Sequence, residues 1–85
     1  MPSSAAKSDL LNRLNNLIET EQNGFAAGVG EQSEIILDRR GHVKGFWRCQ
    51  SGHFDWTPAG YNEPSYSAAD IDAVLAYTRT AIFQR

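Results

Sequence analysis

Residues 42–57, HVKGFWRCQSGHFDWT, contain both tryptophans, both histidines and the one cysteine of an 85-residue chain. They read as two strands joined at Ser51-Gly52. A two-residue Ser-Gly connection suits a primed hairpin turn, because glycine tolerates the positive φ that lets the turn twist match the strands. Pairing across it sets Gln50 against His53, Cys49 against Phe54, Arg48 against Asp55, Trp47 against Trp56 and Phe46 against Thr57. Side chains alternate between faces, so Trp47, Cys49, Phe54 and Trp56 share one face while Arg48 meets Asp55 on the other. A loop one residue longer would set Trp47 against Asp55 and Arg48 against Phe54. That register mixes apolar and charged groups on both faces and is rejected.

Upstream, Glu34 to Asp38 reads as the first strand, and Asp38-Arg39-Arg40-Gly41 as a type I turn with Asp first and Gly fourth. With a glycine bulge, Leu37 opposes Val43 and Ile35 opposes Gly45. The two turns then agree on one buried face, comprising Ile35, Leu37, Val43, Gly45, Trp47, Cys49, Phe54 and Trp56. Gly45 leaves room there for a large neighbour.

The flanking segments read as helices. Leu10, Leu11, Leu14, Leu17 and Ile18 repeat at helical spacing across residues 8–22, opposite Asn12, Arg13, Asn15, Asn16 and Glu19. Ser8 is the expected N-cap, and Asn23-Gly24 the stop, with Phe25 folding back on the last turn. Residues 24–33 read as a glycine-rich connector with Phe25 and Val29 tucked onto the core edge. Their glycines follow a helix and precede a strand, the reverse of a nucleotide-binding turn. Residues 58–66 form a loop held by two prolines and carrying Tyr61 and Tyr66. Ser67-Ala-Ala-Asp70 has the form of a capping box for a second helix ending near Phe83. Ile71, Val74, Leu75, Thr78 and Ile82 make the buried stripe of that helix, with Phe83 off it.

The expectation is an α+β fold: a two-layer α-β-β-β-α domain with a three-stranded antiparallel meander and both helices packed on one face. The chain is short enough for a single domain over residues 1–85, with residues 1–7 as a disordered tail. This order of elements resembles that of the double-stranded-RNA-binding domain in topology and length. That family carries a lysine cluster at the start of its last helix to grip phosphates. Here the same position reads Ser67-Ala68-Ala69-Asp70-Ile71-Asp72, which is acidic, and the chain is not assigned to the family.

One cysteine permits no internal disulfide, which fits a reducing compartment. No segment reads as a signal peptide or a membrane span, so the expectation is a soluble, cytoplasmic protein without membrane contact. Nor is a cofactor, metal or catalytic centre expected. His42 and His53 fall at opposite ends of the hairpin, about 25 Å apart at ~3.3 Å per residue, too far to share an ion. Cys49 and His53 face opposite ways, and no carboxylate pair is defined.

Two surfaces remain. On the outer sheet face Ile36 and Phe46 are apolar where the helices cannot cover them. With the loop tyrosines Tyr61 and Tyr66, they are the candidate partner-binding residues. A small domain gains buried surface by pairing, so a homodimer or another protein is the expected partner. The alternative is weak nucleic-acid binding by the hairpin 39–48. Arg39, Arg40, Lys44 and Arg48 are four of the eight basic residues and share ten positions with no acid, whereas the whole chain has net charge −2. The function expected is therefore that of a non-enzymatic, self-associating interaction module.

Overall fold

The computed structural model describes residues 2–50 and 52–84, with the side chains of residues 2–7 outside that description. The chain runs α1 (Pro2–Glu21), β1 (Phe25–Val29), β2 (Ile35–Arg39), β3 (His42–Gln50), β4 (His53–Pro58), β5 (Tyr66–Ala68) and α2 (Ile71–Tyr77), and α2 passes into a π-helical turn, Thr78–Ile82. The strands form one antiparallel sheet in the order β1-β2-β3-β4-β5. Leu10 and Leu14 of α1, together with Val74 and Ile82, join Ile35, Leu37, Trp47, Phe54 and Trp56 in one buried cluster, so the helices share one face of the sheet. The class is α+β.

The β3–β4 hairpin has the expected register throughout, with Trp47 paired to Trp56, Arg48 to Asp55 and Gln50 to His53. Ser51 lies outside the described residues, and Gly52 adopts φ +82°. Trp47 is 0% exposed. Its ring centre lies 5.4 Å from that of Trp56, and Tyr66 and Tyr77 meet it edge-on at 6.3 and 6.0 Å.

The sheet has five strands, not three. β1 comes from the segment expected as a connector, and β5 from the last residue of the expected loop, Tyr66, with Ser67 and Ala68 of the expected capping box. Ala26, Ala27 and Gly28 have little strand preference of their own, so β1 exists because β2 supplies a ladder for its backbone. A tight turn closes this hairpin: the Gly30 N–H donates to the Glu34 carbonyl at 2.8 Å, and Ser33 takes φ +66°. Phe25 is buried as expected, but Val29 is 52% exposed. With two added strands, the likeness in topology to the double-stranded-RNA-binding domain lapses.

The β2–β3 turn also differs. Arg39 pairs with His42, leaving a two-residue Arg40-Gly41 turn with φ of +53° and +87°, and the Asp38 carboxylate accepts the Gly41 N–H at 3.3 Å. The bulge falls at Lys44, so Leu37 pairs with Gly45 and Ile35 with Trp47. Val43 consequently leaves the expected inner face and is 54% exposed. The cause is tertiary packing. A Cβ at Gly45 would lie 2.5 Å from the Thr57 carbonyl oxygen and 2.6 Å from the Trp56 ring, so only glycine, here at φ +152°, lets that indole cross the strand.

Both helix starts move. α1 begins at Pro2, a residue suited to the first helical position, so Ser8 lies within the helix and does not cap it. The expected tail over residues 1–7 falls largely on residues outside those fully described. At its other end Gln22, not Gly24, is the first left-handed residue (φ +48°), its N–H reaching the Ile18 carbonyl at 2.9 Å. In α2 the cap is Asp70, whose carboxylate accepts the Ala73 N–H at 2.9 Å. Ser67 is in β5 and forms no capping box. The π-helical turn, closed by Phe83 N–H to Thr78 carbonyl at 2.8 Å, holds one residue more than an α-turn. The extra residue rotates the end of the helix by about 100°. Phe83, off the stripe of a regular helix, thereby turns inward and sets its ring 4.6 Å from Phe25.

Candidate functional site

On the outer face, pairing lines up Gly28, Ile36, Phe46 and Thr57 across four strands. Ile36 and Phe46 are thus direct neighbours, both half-buried, with only a glycine beside them on the β1 side. On the β4 side the segment between β4 and β5 folds back over the sheet. Its path is set by Ala59 N–H to the Lys44 carbonyl (3.0 Å), Tyr61 N–H to the Pro58 carbonyl (3.1 Å) and Ser65 N–H to the Trp56 carbonyl (2.9 Å). Thr57 is buried under it although it belongs to the outer face.

Loop and sheet form a cleft of about 310 Å³, lined by Phe46, Arg48, Gln50, Asp55, Thr57, Tyr61, Asn62 and Pro64. The Arg48 guanidinium carbon sits 5.2 Å from the Phe46 ring centre, and Nη2 donates to Gln32 Oε1 at 3.3 Å. Arg48 thus lines the cleft with its guanidinium held between an aromatic face and an amide. Tyr61 lines the same cleft and is 69% exposed. The cleft offers aromatic and apolar groups, one cation, one carboxylate and two side-chain amides, a set suited to gripping a peptide side chain or backbone.

The structure brings Ile36, Phe46, Arg48 and Tyr61 to this one surface. Tyr66 is not there: it lies on the helix side, stacked on Tyr77 with ring centres 4.0 Å apart and planes 5° from parallel. The basic run is dispersed rather than gathered. Arg39 places its guanidinium 5.8 Å from the Phe25 ring centre, and Arg40 lies in the turn against Gly24. Lys44, displaced by the bulge, lines a pocket of about 40 Å³ with Trp56, Pro58, Tyr77 and Ile82 on the helix side. From the sequence, the outer face and the 58–66 loop are separate candidates. The two prolines bracketing Tyr61 are the one local sign that the loop is held, but they do not say where.

Asp55 has a role the sequence does not show. Its carboxylate accepts a short hydrogen bond from Ser67 Oγ, the residue opposite it in β5, and lies 3.4 Å from His53 Nε2. Serine and histidine both address the carboxylate, and the serine contact lashes β5 to β4. Cys49, expected to be buried, is half-buried, its Sγ 4.0 Å from the Gln50 carbonyl oxygen.

A second groove, of about 390 Å³, runs between the helices past Asp9, Arg13, Phe54, Asp70, Ile71 and Asp72. It is larger but chemically committed, since Asp9 is bridged to Arg13 at 3.4 Å and Asp70 caps α2. Among the described residues no group of three or more histidine, cysteine or acidic side chains is arranged to hold a metal ion. No helix among them is long and apolar enough to cross a membrane. No protein-family model matches the chain, and neither a curated protein nor a solved structure is detectably similar to it.

Proposed function

We propose that this protein is a non-enzymatic interaction module that receives a projecting segment of a protein partner on the outer face of its sheet, and that it also associates with itself. The observation that carries the reading is the cleft, in which Phe46, Arg48, Tyr61 and Pro64 converge from strand and loop although up to 18 positions separate them. Aromatic and arginine side chains around a concave centre are the composition in which contact energy concentrates. The adjoining Ile36 extends this apolar surface along β2.

Weak nucleic-acid binding is the lesser reading. It draws on the Arg48–Phe46 pair, over which a base could stack, but Arg39 and Lys44 lie away from it. The test is recovery of co-purifying material by the tagged full chain, for wild type and for the double variant Phe46→Ala/Tyr61→Ala, each assayed for protein and nucleic acid. A discrete protein recovered by wild type and lost in the folded variant is the expected result. Nucleic acid recovered in place of protein, or equal recovery by both chains, would overturn the reading.

A further inference from the structure

β1 is an outer strand of the sheet, and its ladder with β2 determines what its open edge presents. The Arg40 N–H donates to the Gly24 carbonyl at 3.2 Å, and the Gly30 N–H to the Glu34 carbonyl at 2.8 Å. These pairs bracket the ladder. Bonded and non-bonded pairs alternate in an antiparallel ladder, so Ala26 and Gly28 bond inward to Asp38 and Ile36. Phe25, Ala27 and Val29 therefore turn their N–H and carbonyl groups toward the open edge. Of these groups the Phe25 N–H is engaged among the described residues, by Asn23 Oδ1 at 3.2 Å.

Edges of this length ordinarily carry a lysine, a proline, a bulge or an inward charge that discourages pairing. The β1 sequence, FAAGV, has none of these. The opposite edge, β5, is only three residues long. Val29, at the end of β1, is also one of the exposed large apolar side chains.

We propose that β1 pairs antiparallel with β1 of a second copy about a two-fold axis at Ala27, joining the two five-stranded sheets edge to edge. The occupant is a second copy because the edge is complementary to itself. A two-fold axis at Ala27 sets Ala27 against Ala27, Ala26 against Gly28 and Phe25 against Val29. The open N–H groups of Ala27 and Val29 then each meet a carbonyl of the second copy, at Ala27 and Phe25, no charge meets a like charge within the strands, and the Val29 side chain gains cover from Phe25. The outer-face cleft cannot do this, since two identical concave surfaces do not fill one another. The proposal rests on the self-association part of the proposed function, and it uses a surface separate from the cleft.

The test is sedimentation velocity of the full chain across the micromolar range. Wild type is expected to shift from monomer to dimer with concentration. Ala27→Pro removes one edge-facing donor and leaves the inward bonds intact. Val29→Lys sets a cation against Phe25 of the second copy, where Arg39 already lies over the ring. Each should weaken the dimer by roughly tenfold or more with circular dichroism unchanged. Val29→Lys keeps the test valid if proline disturbs the strand, because that side chain is exposed. Ile36→Ser/Phe46→Ser should remain dimeric, and both edge variants should still recover the cleft's protein partner. Wild type monomeric at high micromolar concentration would overturn the proposal, as would edge variants that stay dimeric while the face variant dissociates.

Discussion

Phe46 and Trp47 are adjacent in β3, yet they lie in environments with almost nothing in common. Trp47 points into the layer between sheet and helices, wholly enclosed, with three aromatic rings within about 6 Å. Phe46 points the other way, onto a face covered on one side by a loop and open on the other, with Arg48 laid against it. The helix-side face is closed by its own chain and accounts for the fold. The outer face keeps apolar and aromatic groups that the fold does not cover. The difference shows that strand alternation alone can send one residue of a small sheet into the core and its neighbour to a face left partly open.

The largest expected effect is on the closed side. Trp47→Ala should cost roughly 3–5 kcal/mol. A domain of this size sits toward the low end of the usual ~5–15 kcal/mol in total, so the variant should lose its cooperative thermal transition or melt close to ambient temperature. Near-wild-type melting would show that the two faces have been assigned the wrong way round.

Next comes Gly45→Ala, a change of one methyl group. The new Cβ meets the Thr57 carbonyl and the Trp56 ring, and the backbone there is at φ +152°. A cost of about 1–3 kcal/mol is expected in urea unfolding, from overpacking and strain together. An unchanged midpoint would mean that the bulge and the indole do not hold the register of the β2–β3 hairpin.

Phe46→Ala should be milder, about 1 kcal/mol, because the ring is only half-buried and packs against an arginine and a loop, not the core. A loss matching that of Trp47→Ala would erase the distinction between the faces. The smallest effect concerns charge. With Arg39 and Lys44 set apart from Arg48, any binding of a single-stranded oligonucleotide should show a log-log salt slope of only about −1, near one phosphate contact. A slope of about −3 would mean that the basic residues regroup on nucleic acid.

The β3–β4 hairpin is legible in the sequence because large apolar residues alternate there with charged ones, and only one loop length keeps both faces consistent. β1 is not legible, because Ala26, Ala27 and Gly28 carry no strand signal and depend on β2 for pairing. The Arg40-Gly41 turn escapes a sequence reading for a related reason. Local turn chemistry admits both a type I turn with a bulge and a two-residue primed turn, and the choice is made by Trp56 packing on Gly45, a contact between different strands. The inward turn of Phe83 depends on a π-helical turn with no local mark in the sequence. As for the surface, Ile36, Phe46 and Tyr61 can each be picked out singly as unusual. That Tyr61 lines one cleft with Phe46 depends on how the 59–65 segment folds back, which hydrophobic periodicity does not encode.

Contact with a partner, on this account, is made from the outer face and not from the helix side. The most direct test is site-specific photo-cross-linking in cells, with the photoreactive residue placed at Tyr61 in one chain and at exposed Asp72 of α2 in another. A discrete protein adduct is expected from position 61, abolished by Phe46→Ala in the same chain, and none from position 72. An adduct from position 72 alone, or equal adducts from both positions, would contradict the assignment of contact to the outer face.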